Sequence, residues 1–242
     1  MYLEQYSGRK IRIAVIDSGV HATHPHVGGV SGGFSIRADG SMSDDYVDRL
    51  GHGTAVTAAI REKAPDAEIF VIKVFWDSLT TDVATLVRAI DHAAAHGAMV
   101  INLSLGTATP RHRDDLAAAV ARAGARAALV VAAVEDNGVR WLPGSLDDVV
   151  GVRLDWSCPR EAYRVARENG RAVIVASGYP RDIPDVPRER NVKGISFAVA
   201  NACGFVARAL EAGAERSSMS IVGTLEGAGA DQACRPEPRK AE

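Results

Sequence analysis

Short, unbroken apolar runs alternate along the chain with longer, alanine-rich segments whose apolar residues recur every three to four positions. The runs at 11–17 (IRIAVID), 68–74 (EIFVIKV), 99–105 (MVINLSL), 128–134 (ALVVAAV) and 149–154 (VVGVRL) predict buried strands, and 172–177 (AVIVAS) a sixth. Between them, 54–64, 81–97 and 113–125 have helical spacing, and Gly97 and Gly124 stand where helices are expected to end. A further helix opens near Ser196. Strands separated by helices predict an α/β fold, a doubly wound and mostly parallel sheet with helices on both faces. The loops after the strands then share one sheet edge, which is where such folds keep their sites. We expect a single domain over 1–222. The remainder, 223–242, is rich in Gly, Ala, Pro and charge and is expected to be a frayed or disordered tail.

Composition narrows the function. With 47% hydrophobic residues in 242, the chain is long enough to bury one sizeable core. A formal charge of −2 with both signs interspersed gives no reason to expect nucleic acid or an anionic membrane as partner. The start, MYLEQYSGRK, lacks the apolar stretch of a signal peptide, and no run approaches the 18 or so residues of a spanning helix. Three cysteines, Cys158, Cys203 and Cys234, are an odd number without metal-like spacing. Together these suggest a soluble, cytoplasmic protein with reduced thiols.

Three polar residues interrupt this pattern at element ends. Asp17 closes the first strand, His52 lies between two glycines at a helix start, and Ser196 opens the helix of "KGISFAVANACG". Singly, each has a plain reading: a turn aspartate, a surface histidine, a helix cap. Jointly they carry weight, because Asp, then His, then Ser is the chain order of the subtilisin triad.

The segments around them resemble the motifs of the subtilisin-like serine peptidases, the subtilases. "AVIDSGV" resembles the aspartate motif, "GHGTAV" the histidine motif, and "GISFAVANACG" the serine motif. "INLSLG" is similar to the edge strand that pairs with substrate backbone, and "LPGSLDDVVGV" to a segment that follows it in the family. The resemblance covers roughly 11–210. It implies a three-layer fold and peptide hydrolysis through an acyl-enzyme: Ser196 as nucleophile, His52 as general base, Asp17 orienting the imidazole. It also implies an extended peptide or protein substrate in a groove formed by Ser104, Leu105, Gly106, Ala132, Ala133, Val134, Pro143 and Gly144. The glycines beside His52 and before Ser196 would let substrate backbone approach.

Departures from the family pattern matter too. The family's oxyanion donor is an Asn, but in "VVAAVEDNG" ungapped spacing puts Asp136 there and Asn137 one place late. Asn137 has the better chemistry, since an ionised carboxylate repels an oxyanion, and Asp136 is the alternative. Ala55 replaces the His of Gly-His-Gly-Thr-His, Ile195 a Thr, and Ala200 and Asn201 a Pro and a His. His21, His24 and His26 are read as a solvated turn, not a metal site. Asp44, Asp45 and Asp48 are read as a solvated charge run; no cofactor is expected, with calcium conceivable only in a structural role. Trp76, Trp141 and Trp156 fit core packing and groove lining equally. Two functions from different classes follow: a serine endopeptidase, with maturation of one peptide precursor as its expected task, or a pseudopeptidase that keeps the groove with little turnover. The oligomeric state is left open.

Overall fold

The computed structural model describes residues 3–168 and 170–228. Its strands, in chain order, are β1 (Arg12–Asp17), β2 (Gly32–Ile36), β3 (Met42–Ser43), β4 (Glu68–Lys73), β5 (Val100–Leu103), β6 (Leu129–Asp136), β7 (Val139–Arg140), β8 (Val150–Leu154), β9 (Tyr163–Glu168) and β10 (Arg171–Ala176). They form one sheet in the order β3-β2-β4-β1-β5-β6-β8-β10-β9, with β7 hairpinned onto β6. From β2 across to β10 the pairing is parallel; β3, β7 and β9 are antiparallel additions. The helices are α1 (His52–Lys63), α2 (Val83–Ala95), α3 (Arg113–Ala125), α4 (Ile195–Glu211) and α5 (Ser218–Gly227).

Successive strand residues point to opposite faces, so one run supplies two cores. Ile13 and Val15 of β1 pack with α1 and α4, whereas Ala14 and Ile16 pack with α2 and α3. That double burial is why the central strands read as continuous apolar runs. Helix α4 is apolar nearly all round, with 13 buried residues, because it is enclosed by the sheet, α1 and α5.

All six expected strands are present, and the fold is the three-layer α/β arrangement. The additions β3, β7 and β9 are short or lie at an edge, and β2, beside β4, opens with two glycines that weaken its apolar pattern. Gly97, at φ 76°, follows the end of α2 as expected. Gly124 lies within α3 instead, and the left-handed residue there is Ala127, at φ 58°. The tail is shorter than its composition suggests: 223–227 continue α5, whose Ile221 and Leu225 are fully buried. Residues 229–242 lie outside the described residues. Cys203 is a buried free thiol, but Cys158 is disulfide-bonded, which corrects the expectation of reduced thiols for that residue. Spacing along a chain does not reveal which cysteines meet in space.

Candidate active site

Strand β1 delivers Asp17 fully buried at its carboxyl end. Its Oδ1 accepts from the Ser18 backbone N–H at 2.7 Å and from His52 Nδ1 at 2.7 Å. A carboxylate only accepts, so Nδ1 carries the proton and Nε2 is left as the basic nitrogen. Asp17 Oδ2 is buried with no other partner among the described residues, so the carboxylate is committed to the imidazole and one amide.

The two glycines flanking His52 have different jobs. Gly51 sits at φ 82° ahead of α1, a conformation that disfavours any Cβ. Gly53 is a matter of contact: a Cβ there would overlap the Gly19 carbonyl oxygen and lie 3.1 Å from Asp17 Cβ. Gly53 thus lets α1 close onto β1, a role facing Asp17 and not the substrate.

Asp48 holds the same junction from the other side, and the charge-run reading of Asp44, Asp45 and Asp48 fails for it. Its Oδ1 accepts from Ser18 Oγ and the Leu50 and Gly51 N–H groups, each at 2.9 Å. Its Oδ2 accepts from Thr54 N–H at 2.9 Å and Thr54 Oγ1 at 2.6 Å. Ser18 Oγ in turn accepts from Gly53 N–H at 2.9 Å. Free N–H groups at the start of α1 are thereby satisfied by Ser18, just after β1, and by Asp48, just before α1. A carboxylate four residues before a glycine-flanked histidine was the available sequence signal. Burial lowers the His52 pKa, but the hydrogen bond and charge of Asp17, with Asp48 behind, outweigh it and leave the pKa raised.

Ser196 is the second residue of α4, and Gly194 takes the cap position. The hydroxyl is therefore not spent on capping, and the Ser196 N–H is among those that have no partner within the helix. Ser196 Oγ donates to the Ser104 carbonyl oxygen at 3.2 Å. Ser104 Oγ reaches Asn102 Oδ1 at 3.0 Å and the Ser196 carbonyl at 3.2 Å, tying the start of α4 to the segment after β5.

His52 and Ser196 line one cavity of about 260 Å³ together with Ser104, Leu105, Gly106 and Ala133. Phe75, Leu79, Trp141 and Ile195 complete it. Phe75 and Leu79 went unnoticed in the sequence because they belong to the loop after β4. The remaining expected groove residues are elsewhere. Ala132 belongs to the α2–α3 core and Val134 packs with Val173 and Val175. Pro143 and Gly144 are buried, a Cβ on Gly144 overlapping the Ala133 carbonyl.

The two oxyanion candidates are not in this cavity. Asn137 and Gly138, at φ 49° and 78°, form the two-residue turn joining β6 to β7, with Asp136 paired to Val139. Asp136 and Asn137 line a different cavity, of about 490 Å³, with Glu135 and Arg153. "NG" here is a hairpin signal. Among the turn histidines, His24 Nδ1 accepts from the His26 N–H at 3.2 Å and His21 Nδ1 meets Thr23 Oγ1 at 3.2 Å. No group of three or more His, Cys, Asp or Glu among the described residues could hold a metal ion.

Known proteins are similar to this chain in sequence and in fold. Subtilisin E of Bacillus subtilis (strain 168) is 26% identical over 212 residues, 83% of this chain and 53% of that protein. The minor extracellular protease Epr of the same organism is 34% identical over 141 residues, 54% of this chain and 21% of Epr. The subtilisin-like protease SBT6.1 of Arabidopsis thaliana is 31% identical over 113 residues, 44% of this chain and 10% of that protein. The chain thus spans about half or less of these relatives. Among solved structures, a cold-adapted subtilisin-like serine proteinase superposes with a TM-score of 0.69 at 20% identity, covering 94% of this chain and 85% of that one. A lanthipeptide protease gives 0.69 at 20%, covering 91% and 80%. The profile of the subtilase family matches residues 8–226, and with most of the 242 residues inside that match, the chain belongs to the subtilase family.

Proposed function

We propose that the chain is a serine endopeptidase that cleaves an extended peptide through an acyl-enzyme, with Ser196 as nucleophile, His52 as base and Asp17 orienting the base. The observation that carries this reading is the 2.7 Å Asp17–His52 bond at the wall of a cavity that Ser196 also lines. Rotation of the Ser196 hydroxyl away from the Ser104 carbonyl would hand its proton to His52 Nε2 as Oγ attacks the scissile carbonyl. The proton then passes to the leaving amine, and water repeats the sequence to release the acyl group. Because Asp136 and Asn137 line another cavity, the oxyanion is assigned to the Ser196 N–H at the positive end of α4. The groove continues past Leu105 and Gly106 into a further cavity that shares Phe75 and Leu79, giving the acyl half of the substrate its track.

Within this class we place the chain with proteases that mature one peptide precursor. One fold neighbour is by name a lanthipeptide protease, and substrate profiling decides the point for this chain. Among the described residues no helix is long and apolar enough to cross a membrane. The test is labelling by a fluorophosphonate probe, which needs an activated serine. Labelling of the parent and its loss in Ser196→Ala are expected; a folded parent that resists the probe yet binds peptide would leave a pseudopeptidase.

A further inference from the structure

Cys158 carries a covalent tie that peptide hydrolysis does not use. It is disulfide-bonded, Cys203 is a fully buried free thiol, and the chain has one further cysteine, Cys234. Within one chain the partner is therefore Cys234, in the stretch after α5 that lies outside the described residues. The surrounding structure puts the two within reach. Cys158 Sγ lies 3.5 Å from the Ala162 carbonyl oxygen, and the hydroxyl of the next residue, Tyr163, donates to the Leu225 carbonyl at 3.1 Å. Strand β9 thus lies against the last turn of α5, where Arg167 also pairs with Glu226 at 2.6 Å. From Ala228, the residues up to Cys234 extend as far as about 20 Å when stretched.

Beside Cys158 is the polar cavity of about 490 Å³, to which the three preceding residues, Asp155, Trp156 and Ser157, all contribute. Glu135, Asp136 and Asp155 supply its carboxylates. Glu135 pairs with Arg153 at 3.1 Å and Asp155 with Arg164 at 3.3 Å, which leaves Asp136 without a side-chain partner among the described residues. Trp156, although aromatic, is 49% exposed, with one edge on Tyr179 at 5.2 Å. An unpaired carboxylate near an exposed indole suits a guanidinium, which pairs with the first and stacks on the second. The residue after Cys234 is Arg235. A disulfide holds its two Cα atoms about 4–7 Å apart, and the next Cα follows about 3.8 Å further on. Arg235 therefore starts close enough to Cys158 for its long side chain to enter the cavity.

We infer that the Cys158–Cys234 disulfide straps the segment after α5 across this cavity, with Arg235 seated between Asp136 and the Trp156 ring. Through Trp156 the strap bears on the catalytic edge. A Cβ on Gly178 would lie 2.9 Å from the Trp156 ring, and the Gly178 carbonyl accepts at 2.9 Å from the N–H of Gly194, which caps α4 ahead of Ser196. A dithiol opens the strap: the S–S bond breaks, two electrons and two protons pass to the cysteine sulfurs, and the reagent leaves as its own disulfide. None of this depends on the endopeptidase reading.

Peptide mapping of the unreduced protein by mass spectrometry should find the Cys158 peptide joined to the Cys234 peptide, and dithiothreitol should separate them. Hydrogen exchange at 135–139 and 153–157 reads the docking. In the dithiothreitol-treated protein and in Cys234→Ser, amides there should exchange about tenfold faster, and Tm should fall by about 4–16 °C. Arg235→Glu keeps the disulfide but should speed the same amides by about threefold or more, and adding Asp136→Arg should restore them. A Cys158 that is reduced, or joined to Cys203 or to a second chain, overturns the strap. An intact Cys158–Cys234 bond with exchange that Arg235→Glu leaves unmoved, or that the charge swap does not restore, overturns the seating of Arg235 in the cavity.

Discussion

Adding one methyl group at Gly53 should disable the proposed peptidase by moving its base, without replacing any of the three triad residues. A Cβ at Gly53 would overlap the backbone oxygen of Gly19 and come within 3.2 Å of Asp17 Oδ1. A backbone oxygen cannot swing aside as a long side chain can. Relief therefore requires the start of α1 to back away from β1 by about 1 Å, which is the scale of a van der Waals overlap. That motion stretches the 2.7 Å His52–Asp17 bond and the 2.9 Å Gly53–Ser18 bond together. Overpacking of this kind costs about 1–3 kcal/mol, or a fall in Tm of about 2–12 °C for a chain of this size. Misplacing a catalytic group by about 1 Å costs about 100-fold in rate. In Gly53→Ala, kcat/KM on a quenched peptide and the fluorophosphonate labelling rate should both drop about 100-fold, with Tm followed by calorimetry. Gly51→Ala is the control: it meets nothing within 4 Å and suffers only from its φ of 82°. It should lose about 1–2 kcal/mol of stability while keeping kcat/KM within about tenfold. A folded Gly53→Ala whose kcat/KM stays within threefold of the parent refutes the contact argument, as does equal behaviour of the two variants.

Other expectations follow from the same contacts. Only neutral His52 can accept the Ser196 proton, and its pKa is raised, so kcat/KM should climb with pH through an apparent pKa above the ordinary 6.5. Asp48→Asn should shift that limb toward lower pH by removing one of the charges that raise it, as a pH profile from 5 to 9 would show. Asp136→Asn and Asn137→Ala should each change kcat less than threefold, whereas a side-chain oxyanion donor would cost about 10²–10³; steady-state kinetics decide. Buried Arg160 pairs with Glu62 and, at 3.0 Å, with Asp182. Arg160→Met should cost about 3 kcal/mol at pH 7, measured by denaturant titration. Burial raises the Glu62 pKa, but Lys63 and Arg160 outweigh it and hold the pKa below its ordinary 4.5. The ion pair's contribution is therefore present above that pH and is lost as pH falls below it, so the variant and parent should converge in acid.

What the chain determined by itself is what short-range patterning can carry. Strands buried on both faces must be apolar at every position, so β1, β4, β5, β6, β8 and β10 stand out, and helices covering a sheet must repeat near 3.6 residues. Asp17, His52 and Ser196 were legible because each breaks such a pattern at an element end within two residues of a glycine. Tertiary structure decided the rest, because it concerns contacts between residues far apart in sequence. Nothing local tells that Asp48 turns inward to pin α1 to β1, or that Gly53 is required by a carbonyl 34 residues before it. Asn137 shows the limit most plainly: the pairing of β6 with β7 puts it in a two-residue turn, and spacing along the chain gave no sign of that. The end of a strand is set by the partner it pairs with, here β7, and pairing energy is not written in the composition of a single strand.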